Sequence, residues 1–93
     1  MTDKKQQKRF EELLEFPCLF VFRVLAHNGD QVRTGCEATL KRVLSRPAEG
    51  VEIRPSSKGN YQVIRLGVTV ISADEIRSLY TAFNDVEGVR MVL

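Results

Sequence analysis

The sequence predicts an α+β domain, a four-stranded antiparallel sheet built in the order βαββαβ with two helices on one face. Three observations carry that prediction. Two long runs, Cys18 to Ala26 and Tyr61 to Ile71, place apolar side chains at a period of two. Two others, beginning at Val32 and Ile76, repeat them three and four residues apart. Each long strand-like run leads into a helical run and then a shorter strand. That is the pattern of two β-α-β units, whose right-handed crossovers bring the first and third strands together at the sheet centre.

The elements follow in order. Residues 1 to 9 read as a flexible polar leader, and residues 10–93 as a single domain. Phe10, Leu13 and Leu14 fall at i, i+3 and i+4, which predicts a short leader helix from about Lys8 to Glu15. Pro17 ends it. In the first strand Phe20, Phe22 and Val24 share one side and Leu19, Val21, Arg23 and Leu25 the other; the aromatic side is expected to face the helices. Asn28 and Asp30 are candidate caps for a helix carrying Val32, Cys36, Leu40, Val43 and Leu44 and ending near Arg46, before Pro47. Val51 to Arg54 is a short strand, Pro55 to Asn60 a loop, and the long third strand has Ile64, Leu66, Val68 and Val70 on one face. Ser72-Ala-Asp-Glu75 has the form of a capping box. Ile76, Leu79, Tyr80 and Phe83 form the stripe of the second helix, and Gly88 to Leu93 closes the sheet.

Composition limits function. With 43% apolar and 28% charged residues in 93, one ordinary core is supported, and no segment approaches the roughly 20 apolar residues of a membrane span. The start carries no apolar run or cleavage site of a secretory signal, so a cytoplasmic location is expected. Cys18 and Cys36 are expected to be free buried thiols, because a chain of this size stabilises itself by packing. A single histidine, His27, with no neighbouring Cys or His predicts no metal site, and no cofactor motif occurs. Residues 1 to 10 hold four cations and one anion, leaving ten and eleven for the rest of the chain. A near-neutral body argues against a nucleic-acid surface.

Four stretches together carry a family likeness: Leu13-Leu-Glu-Phe-Pro17, the Phe20/Phe22/Val24 strand, Pro55-Ser-Ser-Lys-Gly-Asn-Tyr61 and Val89-Arg-Met-Val-Leu93. They resemble the YbeD-like family of small bacterial proteins of unknown function, over nearly the whole chain after the leader. The resemblance implies a ferredoxin-like βαββαβ sandwich similar to the ACT-type regulatory domains that bind small effectors, including that of phosphoglycerate dehydrogenase. It implies no activity. Cys18 and Cys36 have no role in it, and the first helix is slightly longer here.

Three places are candidates for function. The loop residues Ser56, Ser57, Lys58 and Gly59 offer two hydroxyls, a free backbone and an ammonium, the parts of an anion-binding nest, beside the plainer reading of a hairpin loop. The turn Asn28, Gly29 and Asp30 sits where ACT-like domains take up an effector between two copies, beside the plainer reading of capping. The third is the sheet face away from the helices, with Leu19, Val21, Arg23 and Leu25 beside Val63, Arg65 and Thr69, and Arg90 and Val92 on an edge strand. That surface is too apolar for open water; either the leader helix or another subunit covers it, with Arg23, Arg65 and Arg90 as fork donors to carboxylates.

An RNA-binding alternative rests on Lys58 to Val63 lying where an RNP1 motif would start the third strand. Only the lysine, glycine and valine agree, and Asn60, Gln62 and Arg65 replace the stacking aromatics. No nucleophile–base pairing or catalytic signature is present, and Asp74 and Glu75 suit a helix start. The expected function is therefore a non-enzymatic regulatory or protein-interaction domain, a homodimer or bound to a partner protein through its sheet face, with a small-molecule effector at an ACT-like interface. Single-stranded RNA binding is the alternative.

Overall fold

The computed structural model describes residues 14–55 and 59–93; the expected leader helix lies outside the described residues except for Leu14 and Glu15, which are not helical. The elements are β1 (Cys18–His27), α1 (Asp30–Leu44), β2 (Gly50–Pro55), β3 (Tyr61–Val70), α2 (Ala73–Asn84) and β4 (Val89–Val92). The sheet order is β2-β3-β1-β4, antiparallel throughout, so the two long strands are central as their length and β-branched content predict. This is the ferredoxin-like arrangement.

Register follows the pleat. β1 and β3 pair from Cys18 opposite Val70 to His27 opposite Tyr61, which aligns Phe22, Val24 and Ala26 with Leu66, Ile64 and Gln62 on the helix side. These side chains and Val32, Cys36 and Leu40 of α1 with Ile76, Leu79 and Phe83 of α2 form one buried core. Burial pushes the Cys36 thiol up to about 11, with Glu37 adding to the shift, so it stays protonated at neutral pH. Cys36 is free and buried as expected, whereas Cys18, also free, is only half-buried, at the start of the central strand. Leu14 and Phe16 also pack on this core, so the chain enters β1 from the helix side.

The helix ends show where local signals were used. At α2, Ser72 accepts the Glu75 amide at 3.3 Å, as the capping box predicts. The Glu75 carboxylate accepts the Ile71 amide rather than that of Ser72, and also binds Arg46, both at 2.9 Å. At α1 the cap position is Gly29, with no side-chain bond, so Asn28 and Asp30 do not cap it. Asn28 is drawn across the fold instead: its side-chain amide donates to the Gly59 carbonyl and its backbone amide to Asn60 at 3.3 Å. α1 ends at Leu44, two residues before the expected Arg46, with Ser45 left-handed at φ 60°.

β2 is shorter than β3, and side chains finish the pairing it leaves undone. The Glu49 amide donates to the Gly67 carbonyl at 2.7 Å, its carboxylate accepts the Thr69 amide at 2.6 Å, and Arg46 donates to the Thr69 carbonyl at 2.9 Å. The Thr69 hydroxyl and amide hold the Glu49 carboxyl below its ordinary value of 4.5, with Arg46 adding to them. A lowered carboxyl contributes stability above its unfolded pKa and loses it as pH falls through the folded one. Glu49→Ala should therefore be less stable than the wild type at neutral pH, with the gap closing as pH drops below 4.5. Thermal melts of both proteins across that range check this; a gap constant with pH would contradict it.

Candidate binding face

Because β1 and β3 present alternate residues to the helices, the others lie on the opposite side in cross-strand rows. From one end the rows are Leu19 with Thr69; Val21 with Gly67 and Gly50; Arg23 with Arg65 and Glu52; Leu25 with Val63 and Arg54; and His27 with Tyr61. No described element covers them. Leu19 is 61% exposed, Val21 45%, and Met91 and Leu93 at the β4 edge 48% and 49%. Leu19 and Val21 follow one another on this side of β1, and Met91 stands beside Leu25 across β1 and β4.

The middle row sets the electrostatics. Arg23 stands directly opposite Arg65, a like-charged pair that costs stability in a bare sheet. Glu52 offsets half of it, reaching Arg65 at 3.4 Å and Arg54 at 3.6 Å. Arg23 forms no salt bridge among the described residues and is exposed. Arg90 lies elsewhere: β4 slips by one residue between Leu25 and Ala26, leaving Arg90 as the extra residue, with its guanidinium 5.9 Å from the centre of the Tyr61 ring. His27 packs against the same ring, 5.2 Å centre to centre.

Beside this ridge is a hollow. Gly67 and Gly50 pair across β3 and β2, and with no side chains there the face sinks into an open depression of about 590 Å³ between Leu19 and Val21 on one flank and Glu49 and Glu52 on the other. A methyl group added at Gly67 would lie 3.7 Å from Leu19 Cδ1 and 3.8 Å from Val21 Cγ2, so the floor has room for it.

The predicted site residues divide accordingly. Leu19, Val21, Arg23, Val63 and Arg65 share the open face, and Arg90 joins its far end. Val92 does not: it pairs with Val24 and packs on the core, because the slip in β4 reverses the alternation expected there. Phe22 is fully buried and Phe20 packs against the core, so β1 offers no stacking ring near the sheet centre. The turn at 28–30 and the hairpin at Gly59 and Asn60 meet at one end of the sheet. Asn28 binds Gly59 and Asn60 there, and the Gln62 amide donates to the carbonyls of His27 at 2.8 Å and Gly29 at 3.0 Å. Ser56, Ser57 and Lys58 lie outside the described residues. Among the described residues no group of three Cys, His, Asp or Glu side chains gathers, and no helix is long and apolar enough to cross a membrane.

Sequence reasoning missed Gly50, which falls just before the strand it read from Val51, and Gly67, which it read only as part of the third strand, together with Glu49 and Glu52, which carry no motif. Adjacent alternation, with Glu52 out and Val51 in, was the available signal for the last.

Comparison with known proteins agrees with this architecture. Residues 11–93 match the family described as protein of unknown function DUF493. The chain belongs to this family. A UPF0250 protein of Idiomarina loihiensis is 40% identical over 91 residues, covering 95% of this chain and 99% of the relative, and one of Shewanella oneidensis is 41% identical over 88 residues, covering 91% and 96%. Among solved structures, a protein of H. pylori superposes with a TM-score of 0.68 at 21% identity, covering 86% of this chain and 85% of that one. The ACT domain from a GTP pyrophosphokinase of Chlorobium tepidum superposes at 0.53 and 18% identity, covering 81% and 94%. The family thus has a ferredoxin-like, ACT-like fold and is one of small bacterial proteins of unknown function.

Proposed function

We propose that the chain is a non-enzymatic interaction domain of ACT-like type that works in the cytoplasm through its open sheet face. The observation that carries this is the exposure of Leu19 and Val21, 61% and 45%, on the open face beside Arg23, which forms no salt bridge among the described residues. Burying such a surface is favourable at roughly 25 cal/mol per Å² of apolar area. Arg23 then gains a carboxylate across the interface in place of a like-charged neighbour.

The effector role of ACT-like domains has weaker support here. The end of the sheet at 28–30 and 59–60 is tied up in its own hydrogen bonds, and a ligand there would have to displace the Asn28 and Gln62 contacts. A regulatory role is therefore placed at the face, where a partner is gained or lost.

A photo-crosslinking residue at Val21, on the open face, and another at exposed Ala38, on the outer side of α1, test this in living cells. Covalent adducts are expected from position 21 and not from position 38. Equal yields from the two, or none from 21, would contradict the reading.

A further inference from the structure

The open face is not merely sticky; its two halves are complementary to each other. β1 carries a ridge, Leu19 and Val21, followed by unpaired Arg23. Beside it runs the hollow floored by Gly67 and Gly50, followed in the same row as Arg23 by Glu52. Ridge and hollow lie at one level along the strands, and so do cation and anion.

We infer that the partner of this face is a second copy of the same chain, related by a two-fold axis along β3, with each Leu19–Val21 ridge seated in the Gly50–Gly67 hollow of the other copy. The inference rests on the interaction role proposed for the face. A two-fold axis makes an isologous interface, in which every contact occurs twice. With the axis along β3, β1 of each copy crosses over β2 of the other, so Val21 meets the glycine floor and Arg23 meets Glu52, while the two Arg65 side chains come together at the axis, each held by its own Glu52 at 3.4 Å. Glu52 already holds Arg65 at 3.4 Å and Arg54 at 3.6 Å, and Arg23 of the other copy would join it as a third guanidinium. Strand directions stay aligned, as in packed sheets about 10 Å apart. The faces of β1, β3 and β2 outline roughly 400 Å² at ordinary strand spacing, before relief is counted. That is a modest interface, below the roughly 800 Å² per partner of a standard one, so a weak, concentration-dependent dimer is expected.

Sedimentation equilibrium of the wild-type chain from micromolar to about millimolar concentration should show mass rising from 10.6 kDa towards twice that value. R23E and E52R should each weaken dimerisation by about tenfold or more, since each sets like charges face to face, and the double variant R23E/E52R should restore it to within a few-fold of wild type. Gly67→Ala should raise the melting temperature of dilute protein, because glycine weakens a strand interior, while weakening the dimer by filling the hollow. A protein monomeric over the whole range, or a double variant no tighter than the singles, overturns the inference. The crosslinker at Val21 separates the two levels: an adduct of doubled mass supports the second copy, an adduct with a different protein overturns the second copy but leaves the face reading standing, and no adduct overturns both.

Discussion

Phe22→Ala is expected to lower the unfolding free energy by about 3–5 kcal/mol, the range for removing a fully buried ring that neighbours cannot collapse to replace. Phe22 has no exposure and is enclosed by rings: Phe20 at 4.7 Å, and Tyr80 and Phe83 of α2 each at 5.4 Å between centres. It is the side chain through which the central strand grips the second helix. Its neighbour one residue back points the other way, so Val21→Ala should change stability by only about 0.5 kcal/mol. Urea unfolding of both variants reads the register directly. Similar losses in the two, or a larger one at Val21, would mean that β1 faces the other way.

Gly88→Ala is the second large effect, at about 2–3 kcal/mol, from two independent causes. Gly88 sits at φ 93°, where an L side chain is strained, and an added Cβ would come within 2.6 Å of Val32 Cγ2. Its carbonyl also accepts the His27 amide at 2.9 Å, so the loop cannot swing away without freeing the end of β1. The same seam explains a glycine inside α1: a Cβ at Gly35 would stand 3.0 Å from Val86 Cγ1. Val32→Ala removes the clash but not the strained φ. Gly88→Ala should therefore cost less in that background than alone, yet still be destabilising. Equal costs in both backgrounds would exclude the contact with Val32.

Local signals were enough for most of the fold. The period of two in β1 and β3 named the buried face, Phe22 and Val24 opposite Leu66 and Ile64, because a strand with one wet side has only one register that hides its large residues. Ser72 announced α2 because a serine oxygen three residues before a glutamate satisfies amides that nothing else reaches. What was not legible depends on residues far apart in the chain. Asn28 looks like a cap until the hairpin at Gly59, 31 positions away, offers it a carbonyl. Val92 looks outward until the slip opposite Leu25 and Ala26 turns it in. The hollow was invisible because it is an absence of side chains, and Gly50 and Gly67 become one feature only when β2 pairs with β3. The open face itself was legible as a greasy, arginine-bearing surface, while its acidic flank at Glu49 and Glu52 was not, since neither residue belongs to a motif.

The proposed function depends on which side chains lie on the bare side of the sheet. A soluble paramagnetic agent added to the protein relaxes the methyl groups that water can reach. In dilute protein the methyls of Leu19 and Val21 should relax strongly and those of Val24 and Leu66 hardly at all; in concentrated protein Leu19 and Val21 should become shielded while Ala38 on α1 stays as accessible as before. Leu19 and Val21 shielded even in dilute protein would contradict the open face, and equal relaxation at both concentrations would contradict the second copy.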